Sequence, residues 1–309
     1  MKKKIVVALG RKALGDNLPE QKEAVRQTAK ALADLIEDGN QLIITHSNGA
    51  QVGMIDSAIR DLSRKDSKYT VAPIAVCDAM SQGYIGYDLQ NAIRAELVAR
   101  GLYIPICTII TQTRVDAYDD AFFNPTKTIG QPMEKEQADV EVKKGHTMKE
   151  TPAGFYKMVA SPEPLEIVEL DSIRALTEAG HIVIACGGGG IPVIEQNQHL
   201  KGASAVIEKD IAAAKLAKDL DADVFMILTN VDKVCLNYKK ENETSLDELS
   251  VEDAKNQIEA GQFEEGTMLP KIQAAVSFSG AKEGRQTIIS SLEKAASALH
   301  GKTGTVIRK

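Results

Sequence analysis

The sequence predicts a three-layer α/β/α fold: a central, mainly parallel sheet with helices on both faces and a small protruding lid subdomain. Three observations predict it. Short β-branched runs alternate with segments of helical apolar spacing along most of the chain. The clearest run, Ile182-Val183-Ile184-Ala185-Cys186, stops at four consecutive glycines, as a buried strand ending in a tight loop would. The segment from Asn124 to Ala160 breaks the alternation, with three of the ten prolines and a charged stretch from Glu134 to Lys144.

The elements follow in order. Lys4 to Leu9 is a strand. Pro19 to Asp38 carries apolar residues at helical spacing (Ala24, Ala31, Leu32, Leu35, Ile36) and stops at Gly39. Leu42 to Thr45 is a strand and Gln51 to Leu62 a helix. Leu89 to Ala99 is a helix stopped by Gly101, and Thr108 to Thr111 a strand. Ile182 to Cys186, Val224 to Leu228 and Thr287 to Ile289 are later strands, with Ile211 to Leu220 a helix between the first two. We read 1–309 as one domain and 124–160 as an inserted lid, a long surface loop being the plain alternative.

Composition narrows the function classes. The 309 residues are 43% apolar and 26% charged, ordinary for a globular protein, and the net charge of -6 argues against nucleic acid as main partner. No apolar run is long enough to cross a bilayer, and Ile5 to Leu9 is too short for a signal-peptide core. Cys77, Cys107, Cys186 and Cys235 have no C-x-x-C spacing and read as small buried residues in a reducing compartment, so a cytoplasmic location is expected. His46, His146, His181, His199 and His300 show no metal-binding spacing, and we assign no protein-held metal.

Several residues point to an anion. Gly187, Gly188, Gly189 and Gly190 lack Cβ atoms, so their amides can press against a phosphate. A lone glycine would read as a plain turn; four in a row cost much chain entropy. Gly10-Arg11-Lys12-Ala13-Leu14-Gly15 has the glycine spacing of a P-loop, but Asp16 stands where the lysine belongs. No strand precedes a G-x-G-x-x-G. Gly10 and Ser47-Asn48-Gly49 nonetheless each link a strand to a helix, where open α/β folds bind ligands. Lys209 and Lys271 sit at helix starts, unfavourable against the helix dipole unless an anion lies there. Lys127 stands at the mouth of the inserted segment.

The ordered words Ala8-Leu9-Gly10, Thr45-His46, Asn48-Gly49, Gln51-Val52-Gly53, Ser81 to Tyr87, Asn124 to Lys127, Ser161 to Pro164, Gly187 to Pro192, Ile207 to Asp210, Ile227 to Thr229 and Met268 to Lys271 run almost end to end. Together they resemble the carbamate kinases of the amino acid kinase family. The resemblance implies a homodimer that uses MgATP, with Mg2+ accompanying ATP or ADP, to convert carbamate to carbamoyl phosphate reversibly, usually towards ATP in arginine fermentation. It implies catalytic roles for Lys127, Lys209, Asp210 and Lys271, with Asp210 orienting the lysines. Gly10, Arg11, Lys12, Ser47, Asn48 and Gly49 would face the acceptor. Gly187 to Gly190 would line the phosphates, and Thr229, Val231, Asp232, Tyr238 and Met268 would hold the nucleoside.

Departures from the family pattern gather on the acceptor side. The family reads Gly-Gly-Asn where this chain has Gly10-Arg11-Lys12, and His-Gly-Asn-Gly-Pro where it has His46-Ser47-Asn48-Gly49-Ala50. Ala153 and Tyr156 stand where the family has arginines, and the lid reads Lys127-Thr128-Ile129-Gly130-Gln131-Pro132-Met133. Arg11 is expected to crowd an anion, Lys12 to pair with phosphate, and Ser47 to be strained by about 1 kcal/mol or more if its position needs φ > 0. These changes imply retained nucleotide binding with altered or weak carbamate phosphorylation. The alternatives are a kinase of another small carboxylate and a non-catalytic nucleotide-binding dimer.

Overall fold

A computed structural model describes residues 2–309. Eight strands form the central sheet: β1 (Lys4–Leu9), β2 (Gln41–His46), β3 (Ile106–Thr108), β4 (Ile182–Ile184), β5 (Val224–Thr229), β6 (Glu248–Ser250), β7 (Gln286–Ser291) and β8 (Thr305–Arg308). Their order is β6-β8-β7-β5-β1-β2-β4-β3, and only the β7–β8 pair is antiparallel.

Alternate residues of each central strand feed two separate cores, as the pleat requires. Val6, Ala8, Ile43, Val183, Phe225 and Ile227 face one core. Ile5, Val7, Leu9, Leu42, Ile44, Val224, Met226 and Leu228 face the other. Because both faces are covered, these strands read as continuous apolar runs rather than alternating ones.

The helices are α1 (Leu18–Glu37), α2 (Gly49–Lys65), α3 (Ile74–Ala99), α4 (Lys135–Lys143), α5 (Leu170–Glu178), α6 (Lys209–Asp219), α7 (Val251–Glu259), α8 (Leu269–Ser279) and α9 (Ala295–Leu299). Residues of α5, α6, α7 and α8 pack in the first core, and residues of α1, α3 and α9 in the second. The start of α1 is fixed by Asn17, whose side chain accepts from the Glu20 amide, and by proline in the first turn.

Three expected boundaries differ. Helix α3 starts fifteen residues before Leu89, because Pro73 opens it and the two glycines at 83 and 86 lie within it. A Cβ on Gly86 would overlap the Thr108 side chain, so that glycine serves close helix–strand packing, not a turn. Strand β3 ends at Thr108, where the chain leaves the sheet. Strand β4 ends at Ile184, and Cys186 is in the left-handed region at φ 51°.

Segment 124–160 contains its own antiparallel sheet of Lys127–Met133, Met148–Thr151 and Gly154–Val159, with α4 alongside. A further four-stranded sheet combines Gln112–Arg114, Glu166–Ile167, Ile191–Gln196 and His199–Gly202.

Candidate active site

The carboxyl ends of four adjacent parallel strands meet on one edge. Leu9 is level with His46 and with Leu228, and Ile44 with Ile184. This alignment sets Gly10, Ser47-Asn48, Cys186 to Gly190 and Thr229 side by side, the expected ligand edge of such a sheet.

Behind the glycine loop, protein fills the space where each Cβ would stand. A Cβ on Gly187 would lie 2.4 Å from the His46 ring, and one on Gly188 2.1 Å from Asn48 Nδ2. On Gly189 it would meet Ile207, and on Gly190 Thr113 Oγ1 at 2.1 Å. Gly188, Gly189 and Gly190 also have positive φ. The run of glycines therefore answers a packing demand on one side, which leaves the backbone to face a ligand on the other. Gln82 and Thr113 pin the loop, donating to the carbonyls of Gly187 (2.9 Å) and Gly189 (2.9 Å). The Cys186 amide donates to Thr111 Oγ1 at 3.0 Å, and Thr45 donates to the Cys186 carbonyl at 2.8 Å.

The lysines converge. Lys209, first residue of α6, and Lys271, in the first turn of α8, both donate to the carboxylate of Asp210. The Lys271 contact is 2.9 Å, and the Asp210 side chain is 2% exposed against 12% and 17% for the two lysines. Lys127, at the start of the inserted sheet, reaches Glu208, the residue just before the same α6. Three cations from distant stretches thus gather around one helix N-terminus, a setting for an anion.

Burial by itself would raise the Asp210 pKa, but Lys209 and then Lys271 outweigh it and hold the carboxyl at about 2. A folded-state pKa below the ordinary value contributes stability above the unfolded pKa and loses it as pH falls towards 2. The contribution is about 2 kcal/mol. Urea unfolding at pH 5 and pH 3 should show about half of that loss, with a shallower pH slope in Asp210→Asn. Equal slopes would refute the triad's electrostatic role in stability.

Among the described residues, no cluster of three His, Cys, Asp or Glu side chains could hold a metal ion. Asp210 is already held by two lysines. His46 is held neutral: burial pushes its pKa down to about 4, and its Nδ1 lies 3.0 Å from the Ser47 carbonyl, to which it donates.

Ser47, Arg11 and Lys12 lie differently from expectation. Ser47 is not at positive φ, so its side chain is unstrained, and its amide donates to Leu9. The expected crowding by Arg11 is absent: its side chain, 71% exposed, pairs with Asp16. Lys12 pairs with Glu293 at 3.3 Å and acts on Asp232, which is held below its ordinary pKa mainly by Lys294. Lys12 therefore lies beside a predicted nucleotide residue. Gly10 is needed where β1 crosses towards β5, since a Cβ there would come 3.0 Å from the Leu228 carbonyl. Gly49 opens α2 with nothing within 4 Å of a Cβ. Asn48 is buried, and its amide donates to Asp78 and Ser81. Thr229 ends β5, Val231 is half-buried beyond it, Tyr238 is exposed under Lys239, and Met268 precedes α8. Asp78, Thr111 and Thr113 escaped the sequence reading as site residues; Thr45, His46, Ser81 and Gln82 fell within quoted family words without an assigned role.

A profile of the amino acid kinase family matches residues 3–290. The chain belongs to that family. It is 51% identical over 308 residues to the "Carbamate kinase-like protein YqeA" of Escherichia coli (strain K12), covering 99% of each chain. It is 48% identical over 313 residues to the carbamate kinase of Clostridium perfringens (strain 13 / Type A), covering 99% of this chain and 100% of the relative. The structure of carbamate kinase from Giardia lamblia bound to AMP-PNP superposes with a TM-score of 0.94 at 37% identity, covering 100% of this chain and 99% of that one. The match to the family is full-length, and the edge carrying the glycine loop and the lysine triad is part of it.

Proposed function

We propose that the chain is a carbamate kinase, transferring a phosphoryl group reversibly between MgATP and carbamate to give ADP and carbamoyl phosphate. The observation that carries this reading is the meeting of Lys209 and Lys271 on buried Asp210, with Lys127 at the same helix start. The full-length likeness to carbamate kinases supports it.

Asp210 holds the two ammonium groups apart and aimed before a ligand arrives, so little reorganisation is needed during transfer. The γ-phosphorus–oxygen bond to ADP breaks as a carbamate oxygen bonds to phosphorus, and the lysines balance charge on the moving group. Carbamate is already an anionic nucleophile, so no base must remove a proton. An edge with lysines and a neutral, engaged His46 suits that chemistry. Mg2+ would enter as part of the MgATP substrate, carried on its phosphate oxygens. The inserted sheet serves as a lid that brings Lys127 over the donor.

We further propose a cytoplasmic homodimer serving arginine breakdown. Val76, Met80 and Tyr87 form an exposed stripe on α3 that supports self-association. No described helix is long and apolar enough to cross a membrane.

A second reading keeps the nucleotide half and weakens or retunes the acceptor, as the non-arginine residues Ala153 and Tyr156 suggest. Steady-state assay of ADP with carbamoyl phosphate separates the two. Turnover of roughly 1–100 s⁻¹ or faster is expected for the first. Nucleotide that stabilises the fold, with no synergy from carbamoyl phosphate and no turnover, would defeat it.

A further inference from the structure

Beneath the glycine loop lies a polar group that the proposed reaction leaves unused. Asp78, on α3, is 6% exposed and pairs with no lysine or arginine among the described residues. Asn48 Nδ2 donates to Asp78 Oδ1 and, at 2.9 Å, to Ser81 Oγ. Ser81 Oγ in turn donates to the Asp78 carbonyl at 2.6 Å, which fixes its own orientation. Both Asn48 amide hydrogens are therefore occupied. A side-chain amide has two donors and one carbonyl oxygen, so Asn48 retains only an acceptor. Its Oδ1 is not among the buried polar atoms lacking a partner. The same side chain fills the space under Gly188.

We propose that Asp78 is a positioning residue that, with Ser81, locks the Asn48 amide so that it offers the acceptor pocket only its carbonyl oxygen, favouring a substrate that carries an N–H. This rests on the carbamate kinase reading, because carbamate and carbamoyl phosphate carry an NH2 group. A carboxylate is what the lock requires. Ionised, above about pH 7, it accepts and does not donate, so turning the Asn48 amide over would set oxygen against oxygen away from water. An asparagine at 78 would pair with either orientation and remove the preference.

The device has a stability cost. Burial, only partly offset by the Asn48 hydrogen bond, pushes the Asp78 carboxyl up to about 7. A raised folded-state pKa means stability falls as pH rises through that window. The pKa of the Cys77 thiol on the same helix is raised mainly by burial and then by Asp56, with Asp78 adding to it.

The test compares wild type with Asp78→Asn at pH 8, where Asp78 is mostly ionised, using ADP with carbamoyl phosphate and with acetyl phosphate, in which a methyl replaces the amino group. The expected result is a preference for carbamoyl phosphate that shrinks by about tenfold in the variant, through KM for that substrate and not for ADP. The variant should also have a higher Tm at pH 8, where a merely structural role would lower it. An unchanged preference in folded Asp78→Asn overturns the proposal. If wild type uses neither phosphate donor, the functional reading fails instead, and the Asn48 side-chain amide resonances then decide the lock. They should shift between wild type and Asp78→Asn; identical resonances overturn it.

Discussion

Replacing Lys271 with methionine is expected to lower kcat by about 10²- to 10³-fold, the usual consequence of removing one preorganised partner of the developing charge. Lys271 meets Asp210 at 2.9 Å, so its ammonium is fixed before substrate arrives, and methionine keeps the side chain's bulk without the charge. Lys209→Met should act alike, since the two lysines share one carboxylate. Each variant leaves Asp210 one lysine. The stability loss should therefore be smaller than the roughly 3–5 kcal/mol of a buried charge stripped of its only partner. The effects should not add, because the residues form one network. Steady-state turnover with ADP and carbamoyl phosphate, alongside circular dichroism, measures this. A folded Lys271→Met enzyme with wild-type kcat would end the assigned role.

Gly188→Ala is expected to be among the most damaging single methyls at the site. Gly188 has φ 68°, and the new Cβ would stand 2.1 Å from Asn48 Nδ2. Left-handed backbone costs a residue with a Cβ roughly 1–2 kcal/mol, and forcing a methyl into packed surroundings roughly 1–3 kcal/mol more. Asn48 cannot yield easily because Asp78 and Ser81 hold it. Loss of nucleotide affinity should accompany the destabilisation, as the loop backbone shifts. Gly49→Ala provides the contrast. Gly49 opens α2 with nothing within 4 Å of its Cβ, so alanine there should be neutral or stabilising by up to about 1 kcal/mol. Urea denaturation of both variants reads the difference. Similar losses would show that the glycine loop is not held as described.

Much of the site was legible because its residues sit in local patterns. Gly187 to Gly190 announce themselves by repetition, and Lys209 and Lys271 by standing at helix starts. What each glycine faces was not legible. Asn48 and Gly188 are 140 positions apart, and only the fold shows that one lies under the other. Ser47 looked strained because a family glycine can mean positive φ, yet its backbone here needs none. Arg11 and Lys12 looked like acceptor-pocket residues, but their partners Asp16 and Glu293 draw them to the surface. Asp78 gave no signal, since a lone aspartate ordinarily marks solvated surface and the helix that carries it was expected to begin only at Leu89.

The sequence by itself determined the alternation of strands and helices and the places where strands give way to glycine or lysine. These follow from side-chain period and backbone freedom, which act over a few residues. The tertiary structure alone decided that Lys127, Lys209 and Lys271 meet at one helix start and that Asp78 lies behind the loop. Those meetings depend on strand order and register, which bring distant stretches of chain onto one sheet edge through contacts that no short stretch of sequence encodes.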